Sequence, residues 1–449
     1  MPGLIGPDDF ASVADAALEL PGADGVEVLL MHQWGGLTRF ASSEIHQSTW
    51  NEDTDLRVRI VVGGRIGVAS TNDFSKSGAR RAAESAREMT DVVAPDPLFP
   101  GLAPKAPVAE RDGFDEATAA ATPALRASGV ADLVGRAGSG FSAAGAFETT
   151  AVEVGLVNTE GQRCWAPQTQ AMLTTVITGG DRGSGFAEIA STRVGDIDAQ
   201  EIGSRAASKA HASQDPQSLE PGVYEVVLEP AATSTLVGFL AYLGFGGRFL
   251  VEGKSCFSGR EGDQVAAPTV SIYDDALSPD TVGIPFDFEG VPRERVDLIR
   301  DGVFVDGVYD LRTAKQADKR STGHALPSPN PEGPFPLNLF MQTGDATIEE
   351  MIAQTKRGLL ITRFHYSNVV HPLEATITGM TRDGTFLIEN GEVTFPVTNF
   401  RMTQSIVDAL KATSMVGRES SIASEFFFSA SRVPAVKIDR FQFTGRSDH

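Results

Sequence analysis

Lys254-Ser255-Cys256-Phe257-Ser258-Gly259-Arg260-Glu261-Gly262-Asp263-Gln264-Val265 opens a stretch that continues as SIYDDALSPDTVGIPFDFEGVPRERVDLIRDGVFVDGVYD over residues 271–310. It closes with Ser321-Thr322-Gly323-His324-Ala325. Short runs of strand length are punctuated here by Asp301-Gly302 and Asp306-Gly307, and the same punctuation recurs at Asp383-Gly384 and Asn390-Gly391. Such pairs accept the positive φ that tight hairpins demand, so their density predicts a β-rich region. Just upstream, Tyr224 to Glu229 reads as a strand. Thr235 to Phe245 (TLVGFLAYLGF) is apolar on every side, which predicts a buried helix rather than an amphipathic one. That segment is too short to cross a bilayer.

The character of the chain differs before Val223. Asp8 to Leu20 has helical apolar spacing, with Pro7-Asp8-Asp9 setting acid at the positive end of the helix dipole. Gly25–Met31, Leu37–Glu44 and Asp55–Val62 read as strands, and Gly63-Gly64 turns the last into Arg65–Ser70. Ser75 to Thr90 predicts a capped, alanine-faced helix. Prolines at 95, 97, 100, 104 and 107 mark an extended crossover over 94–107. Asp115 to Ala137 predicts a helix interrupted near Pro123 and Gly129, and Phe147 to Thr178 alternates as strands around Asn158-Thr159-Glu160-Gly161. The expected fold is α+β: N-terminal α/β layers over 1–222, then a β-rich C-terminal domain over 223–449 holding the apolar helix.

With 449 residues the chain exceeds a single hydrophobic core, and its 41% hydrophobic and 22% charged residues place it among globular proteins. The formal charge of −21 repels phosphate backbones, which argues against a nucleic-acid partner; Arg80-Arg81 and Arg293-Glu294-Arg295 are too short to offset it. The start carries acid where a secretory signal needs base, and two cysteines make no disulfide framework. Both features lead to the expectation of a cytoplasmic protein with no membrane partner.

The phrases of the opening stretch, with Phe386-Leu387-Ile388-Glu389-Asn390-Gly391-Glu392 and Pro434-Ala435-Val436-Lys437-Ile438-Asp439, resemble the TldD/PmbA family, also described as modulators of DNA gyrase. The negative charge lends no support to DNA contact. The N-terminal Arg57-Val58-Arg59 and Gly64-Arg65-Ile66-Gly67 fit the same resemblance. Its members include zinc peptidases and metal-free partner subunits. In the peptidases a His-Glu-x-x-x-His segment precedes the Ser-x-Phe-x-Gly phrase by a fixed interval, which here falls on Gly238-Phe239-Leu240-Ala241-Tyr242-Leu243. A hydrolytic zinc needs about three protein ligands and a carboxylate to take the proton of its water. Gly238, Phe239 and Leu243 supply none. A further ligand of the peptidases is a cysteine shortly before the closing Pro-x-x-Lys-x-Asp phrase, where this chain reads Ser424-Glu425-Phe426-Phe427-Phe428-Ser429-Ala430-Ser431.

The resemblance therefore implies a metal-free PmbA or TldE type. Such a subunit has no catalytic residues or cofactor of its own and pairs with a zinc-bearing TldD-type homologue. Together they act on unfolded or peptide substrates, as a heterodimeric metallopeptidase. The competing expectations are an autonomous enzyme or small-molecule binder reusing the emptied cavity, and a structural homodimer.

Residues for substrate or partner contact are expected among Arg363, His365, Tyr366 and His371, the polar group of RFHYSNVVH, where alternation sets Arg363 and His365 on one face. His324 and Asn338 flank a proline-rich loop that the resemblance places near the substrate channel. The acidic groups Asp274-Asp275 and Asp287-Phe288-Glu289 lack calcium-loop spacing and read as a turn that fixes backbone donors. Neither a dinucleotide fingerprint nor a complete Gly-x-Ser-x-Gly elbow is present; Gly140-Phe141-Ser142-Ala143-Ala144 misses the last glycine.

Overall fold

The computed structural model describes residues 3–423 and 430–446. The fold is α+β. Helix α1 (Pro7–Leu18) leads into β1 (Gly25–Ala41), β2 (Glu44–Val62), β3 (Arg65–Thr71) and helix α2 (Lys76–Met89). Short α3 (Glu116–Ala119) and α4 (Pro123–Val134) precede β4 (Phe141–Asn158), β5 (Arg163–Gly179), β6 (Gly183–Ser191) and α5 (Ala199–Ala212). The six strands form one antiparallel sheet in the order β3-β2-β1-β4-β5-β6. The two strands predicted at Gly25–Met31 and Leu37–Glu44 are thus one. Gly35 and Gly36, which broke the hydrophobic pattern, sit inside it because neighbouring groups crowd them: a Cβ on Gly36 would fall 2.0 Å from Arg126 Nη2.

Helices α1 and α2 cover one half of the sheet with Phe10, Ala14, Ala79, Ala83 and Ala86 buried. Ser75 caps α2 by accepting the Gly78 N–H at 3.0 Å. Helices α4 and α5 cover the other half through Val130, Leu133, Ile202 and Ala206. Pro123 interrupts the 115–137 region as expected, but Gly129 does not; it lies within α4, with the Phe147 ring where a side chain would go. The proline-rich crossover is extended yet anchored. Asn158 donates to the Ala103 carbonyl at 2.8 Å, and Arg111 donates to the carbonyls of Gly283 at 2.8 Å and of Thr281.

The second half contains β7 (Val223–Leu228), α6 (Pro230–Leu240), α7 (Gly247–Val251), β8 (Ile272–Asp274), β9 (Val296–Arg300), β10 (Val303–Phe304) and α8 (Leu311–Ala317). These are followed by β11 (Asn338–Met341), α9 (Ile348–Ala353), β12 (Arg357–His371), β13 (Thr376–Glu389), β14 (Glu392–Pro396) and β15 (Phe400–Ser405). Helix α10 (Ile406–Lys411), β16 (Thr413–Ala423) and β17 (Ala430–Arg446) complete it. The sheet order is β10-β9-β8-β11-β17-β15-β13-β12-β7, and β17 also pairs with β7, so the last five strands close into a ring. Phe364, Phe400, Phe441 and Phe443 lie in the core beside it, in contact with one another. No helix among the described residues is long and apolar enough to cross a membrane.

Only two of the four predicted turns are hairpins. Asp301-Gly302 joins β9 to β10 and Asn390-Gly391 joins β13 to β14, all four residues having positive φ. Asp383-Gly384 instead lies inside β13, at a register shift opposite Ile361/Arg363 of β12, where Asp383 adopts φ 56°. This bulge re-aims one side chain, as such irregularities do. Asp306-Gly307 has no positive φ; Gly307 is small because Leu250 and the Phe245 carbonyl close on it.

Candidate functional site

Helix α6 runs from Pro230 along β12 and β17 and ends in a single π turn, Ala241–Phe245. Nearly every side chain on it is buried, with Phe239 at 1% and Leu243 at 3% exposure. The π turn frees carbonyls that the opening stretch of the sequence then satisfies. Ser255 donates its hydroxyl to the Gly244 carbonyl at 2.7 Å, and the Cys256 N–H reaches the Leu243 carbonyl at 3.1 Å. The Ser255 oxygen also accepts the Phe257 N–H at 3.0 Å, which directs the Phe257 ring against Phe245 and Phe304. Gly244 accommodates that ring, since a Cβ there would lie 2.8 Å from it. The fixed interval between the helix and the Ser-x-Phe-x-Gly phrase is therefore a hydrogen-bonding register.

A hydrolytic metal does not fit Gly238, Phe239 and Leu243, because none has a lone pair on its side chain and the surrounding helix faces are sealed by packing. Of the second interval compared above, Ser424 to Ser431, residues 424–429 lie outside the described residues, and Ala430 and Ser431 begin β17. Among the described residues, no three His, Cys, Asp or Glu side chains converge to hold a metal ion.

The sequence-predicted contact residues fall in three places. His324 and Asn338 are interior, at 0% and 2% exposure. Both meet Asp274 at the end of β8: His324 Nε2 lies 3.0 Å from Oδ1, and the Asn338 N–H donates to Oδ2 at 2.7 Å. Asn338 also accepts from Arg293 Nη1 at 2.8 Å and donates to the Val282 carbonyl at 2.6 Å. Burial raises the Asp274 carboxyl, but His324, Arg293 and the Asn338 N–H outweigh it and hold the group below the usual range. As positioned, His324 and Asn338 join β8 to β11 and the 321–325 loop, and both are buried within this chain.

Arg363 is also engaged. Its Nε donates to Asp383 Oδ2 at 2.6 Å, and its guanidinium lies 4.2 Å over the Phe186 ring of β6. The other Asp383 oxygen accepts the Ser184 hydroxyl, also from β6. The bulge at Asp383 thus builds a clamp between the six-stranded sheet and the second half of the chain. His365 packs on Tyr366 with ring centroids 4.4 Å apart; burial and the charges of Arg363 and Arg382 hold its pKa below the ordinary value. Tyr366 has φ 50° and is 72% exposed, and His371 is exposed where β12 ends. Of the predicted set, Tyr366 and His371 remain free to meet another molecule, with His365 half-covered.

The acidic turn has the role read for it. Asp287 accepts the N–H groups of Glu289, Val291 and Ala325, each at 2.9 Å. Burial, with the Glu289 charge, pushes its pKa up to about 7 against those bonds. Glu289 reaches the N-terminal sheet by accepting from Arg59 at 3.0 Å, while Arg59 bonds Glu27 at 2.8 Å. Burial raises Glu27 to about 7 despite Arg59. The sequence reading did not single out Glu27, took Asp383 only as a turn residue, and treated Arg293 only as part of a weak basic patch. A charged residue at an inward strand position, such as Glu27 among Gly25–Met31, was the available signal.

Among the clefts of the described surface, two lie against the helices of the first half. One of about 350 Å3 lies where α5 meets β12 and β14, lined by Lys209, Glu229, Leu360, Phe386 and Phe395; Lys209 and Glu229 are paired with each other. The other, of about 530 Å3, lies between α1 and α2. Neither contains a sequence-predicted contact residue.

The chain matches the family model described as PmbA/TldA metallopeptidase C-terminal domain over residues 221–445, and that described as PmbA/TldA metallopeptidase domain 1 over residues 26–90. It is 25% identical over 443 residues to Metalloprotease PmbA of Escherichia coli O157:H7, covering 94% of each chain. Against a Metalloprotease TldD homolog of Haemophilus influenzae it is 26% identical over 231 residues, about half of either chain. The crystal structure of TldE from Thermococcus kodakarensis superposes with a TM-score of 0.88 at 20% identity, covering 98% of this chain and 99% of that one; the likeness is one of fold.

Proposed function

Because the chain belongs to the PmbA/TldD metallopeptidase family, we propose that it is a metal-free, TldE-like subunit of a cytoplasmic heteromeric peptidase. It joins a zinc-bearing TldD-type homologue, helps to shape the chamber and presents unfolded or peptide substrate, while the partner carries out hydrolysis. The observation that carries this reading is the chemistry of α6 and its π turn. At the interval where family peptidases have His-Glu-x-x-x-His, this chain has Gly238, Phe239 and Leu243, buried and without donors. Restoring ligands there would put a carboxylate and two imidazoles into an apolar core, a cost that packing of this kind does not accommodate. The likeness to a protein named TldE supports the same reading.

The test is co-expression with a zinc-bearing homologue from the same genome, followed by size exclusion, zinc analysis and cleavage of an unfolded peptide. The expected result is a stoichiometric complex that cleaves, with zinc tracking the homologue and no turnover by this chain alone. A chain that ignores the homologue, or that binds zinc and cleaves by itself, overturns the proposal.

A further inference from the structure

Glu27 shares with Leu29 the sheet face on which Ile284 and Phe286 of the second half pack. There it joins Asp287 and Glu289 of the acidic turn and Asp310, the N-cap of α8. The Glu289 charge acts on each of the other three. Arg59 of β2 is the cation that bonds within the group, reaching Glu27 at 2.8 Å and Glu289 at 3.0 Å. Arg293 and Arg312 act on Asp287 and Asp310 through charge, while their hydrogen bonds go to Asn338 and Asp96. The other neighbours of Glu27 supply no cation. Asn158 lies opposite on β4 and bonds the Ala103 carbonyl, the Cys164 thiol of β5 is kept protonated by burial, and the Phe99 ring lies against Arg59.

Four carboxylates around one bonded guanidinium make the junction rich in acid, and an ionised acid without a partner is costly in an interior. Burial, with the Glu289 charge adding, raises Glu27 from 4.5 to about 7 in spite of Arg59. Glu27 is also the member best placed to hold a proton. Asp287 is engaged by three backbone N–H groups, and Glu289 by Arg59 and by the Leu311 N–H at 3.0 Å, whereas Glu27 receives Arg59.

The same acids fasten the second half to the sheet. Glu289 seats the first turn of α8 through Leu311, and Asp287 fixes the turn and the 321–325 loop. The contacts at β6, through Arg363, Phe186, Asp383 and Ser184, use none of them.

We propose that this junction is a proton-operated latch: with a proton on Glu27 the acidic turn and α8 lie closed on β1 and β2, and release of that proton loosens them while the clamp at β6 holds. Opening returns Glu27 to water, where its ordinary value of 4.5 applies. Closure is therefore favoured most below that value, loses about tenfold per pH unit as pH rises, and levels off above about 7. The inference rests on this chain alone and not on the partnership proposed above.

Hydrogen exchange of the full chain, followed by mass spectrometry from about pH 5 to about pH 8 and corrected for the intrinsic pH dependence of exchange, reads even a minor open population. Protection of the acidic turn and of the first turn of α8 is expected to fall about tenfold per pH unit and then flatten near 7, with α6 unchanged. Glu27→Gln, which fixes a neutral side chain of the same shape, is expected to remove that dependence. Three outcomes overturn the proposal: corrected protection in the wild-type chain that does not change with pH, a dependence retained in full by Glu27→Gln, and a parallel loss of protection in α6, which would mark unfolding of the whole chain.

Discussion

Arg363→Ala separates two roles for the residue that sequence reading favoured as a ligand contact. In the structure Arg363 is spent on Asp383 and Phe186, and Asp383 is buried with its second oxygen on Ser184. Truncation leaves the interior Asp383 with the Ser184 hydroxyl and, at 4.0 Å, Arg382 Nε as its remaining partners. Removing one member of such a pair costs about 3–5 kcal/mol, chiefly as the penalty of the stranded charge. Loss of the cation–π contact adds about 1 kcal/mol. Because the contacts share one guanidinium they do not simply add, and about 4 kcal/mol is expected. Asp383→Asn in the same background removes the stranded charge and should restore about half of the loss. Urea unfolding followed by circular dichroism reads the whole chain. Tryptophan fluorescence reads the six-stranded sheet alone, where Trp34, Trp50 and Trp165 all lie. The clamp reasoning requires a lower midpoint in both signals, with peptide and partner affinity per folded molecule unchanged. A variant within about 0.5 kcal/mol of wild type that has lost partner or peptide binding would refute it and return Arg363 to the contact surface.

Glu27, raised by burial from its ordinary 4.5 to about 7, holds a proton in the fold that the unfolded chain has already released. Its contribution is full below pH 4.5 and lost as pH rises to about 7, a change of about 3 kcal/mol. The stability difference between wild type and Glu27→Gln should therefore fall by that amount between about pH 4.5 and 8, and parallel curves would refute it. Gly67→Ala would place a Cβ 1.9 Å from the Ala86 carbonyl, forcing α2 off β3; thermal unfolding should show a loss of about 1–3 kcal/mol. Burial pushes both thiols up to about 12, with the charges of Asp287 and Glu27 adding at Cys164. Neither should react with iodoacetamide at about pH 8 until the chain unfolds, when both should.

Where local chemistry decides the outcome, the sequence was legible. Ser75 with its alanine face specified α2, Gly63-Gly64 specified the β2–β3 hairpin, and an all-apolar run specified α6. What failed was local chemistry put to a second use. Asp383-Gly384 satisfies the same backbone requirement in a bulge as in a hairpin, and only the strand it must pair with distinguishes the two. The interior placement of His324 and Asn338 escaped sequence reading for a related reason. His324 and Asn338 are polar, and polarity in sequence does not distinguish a surface group from one paired inside with Asp274. The ring closed by β7 and β17, which stand at opposite ends of the second half of the chain, leaves no periodic trace at all.

The separation of fold-bearing from chemistry-bearing positions around α6 explains how one framework can serve with or without a metal. The bonds that seat the helix end use the backbone carbonyls of Leu243 and Gly244, and their donors are the Ser255 hydroxyl and the Cys256 N–H. None involves the side chain of Gly238, Phe239 or Leu243. Those side chains can be exchanged for donors or for apolar filler without removing a hydrogen bond from the framework, provided that volume and solvation are matched by the surroundings. In this chain the match is to apolar filler: Phe239 and Leu243 belong to the same packed cluster as Phe257 and Phe304. A single reversion to a ligand would strand a polar group in that cluster at about 1–3 kcal/mol, so recovery of a metal site would require several changes at once. Replacement of ligands by apolar side chains, by contrast, proceeds one side chain at a time, each step gaining packing.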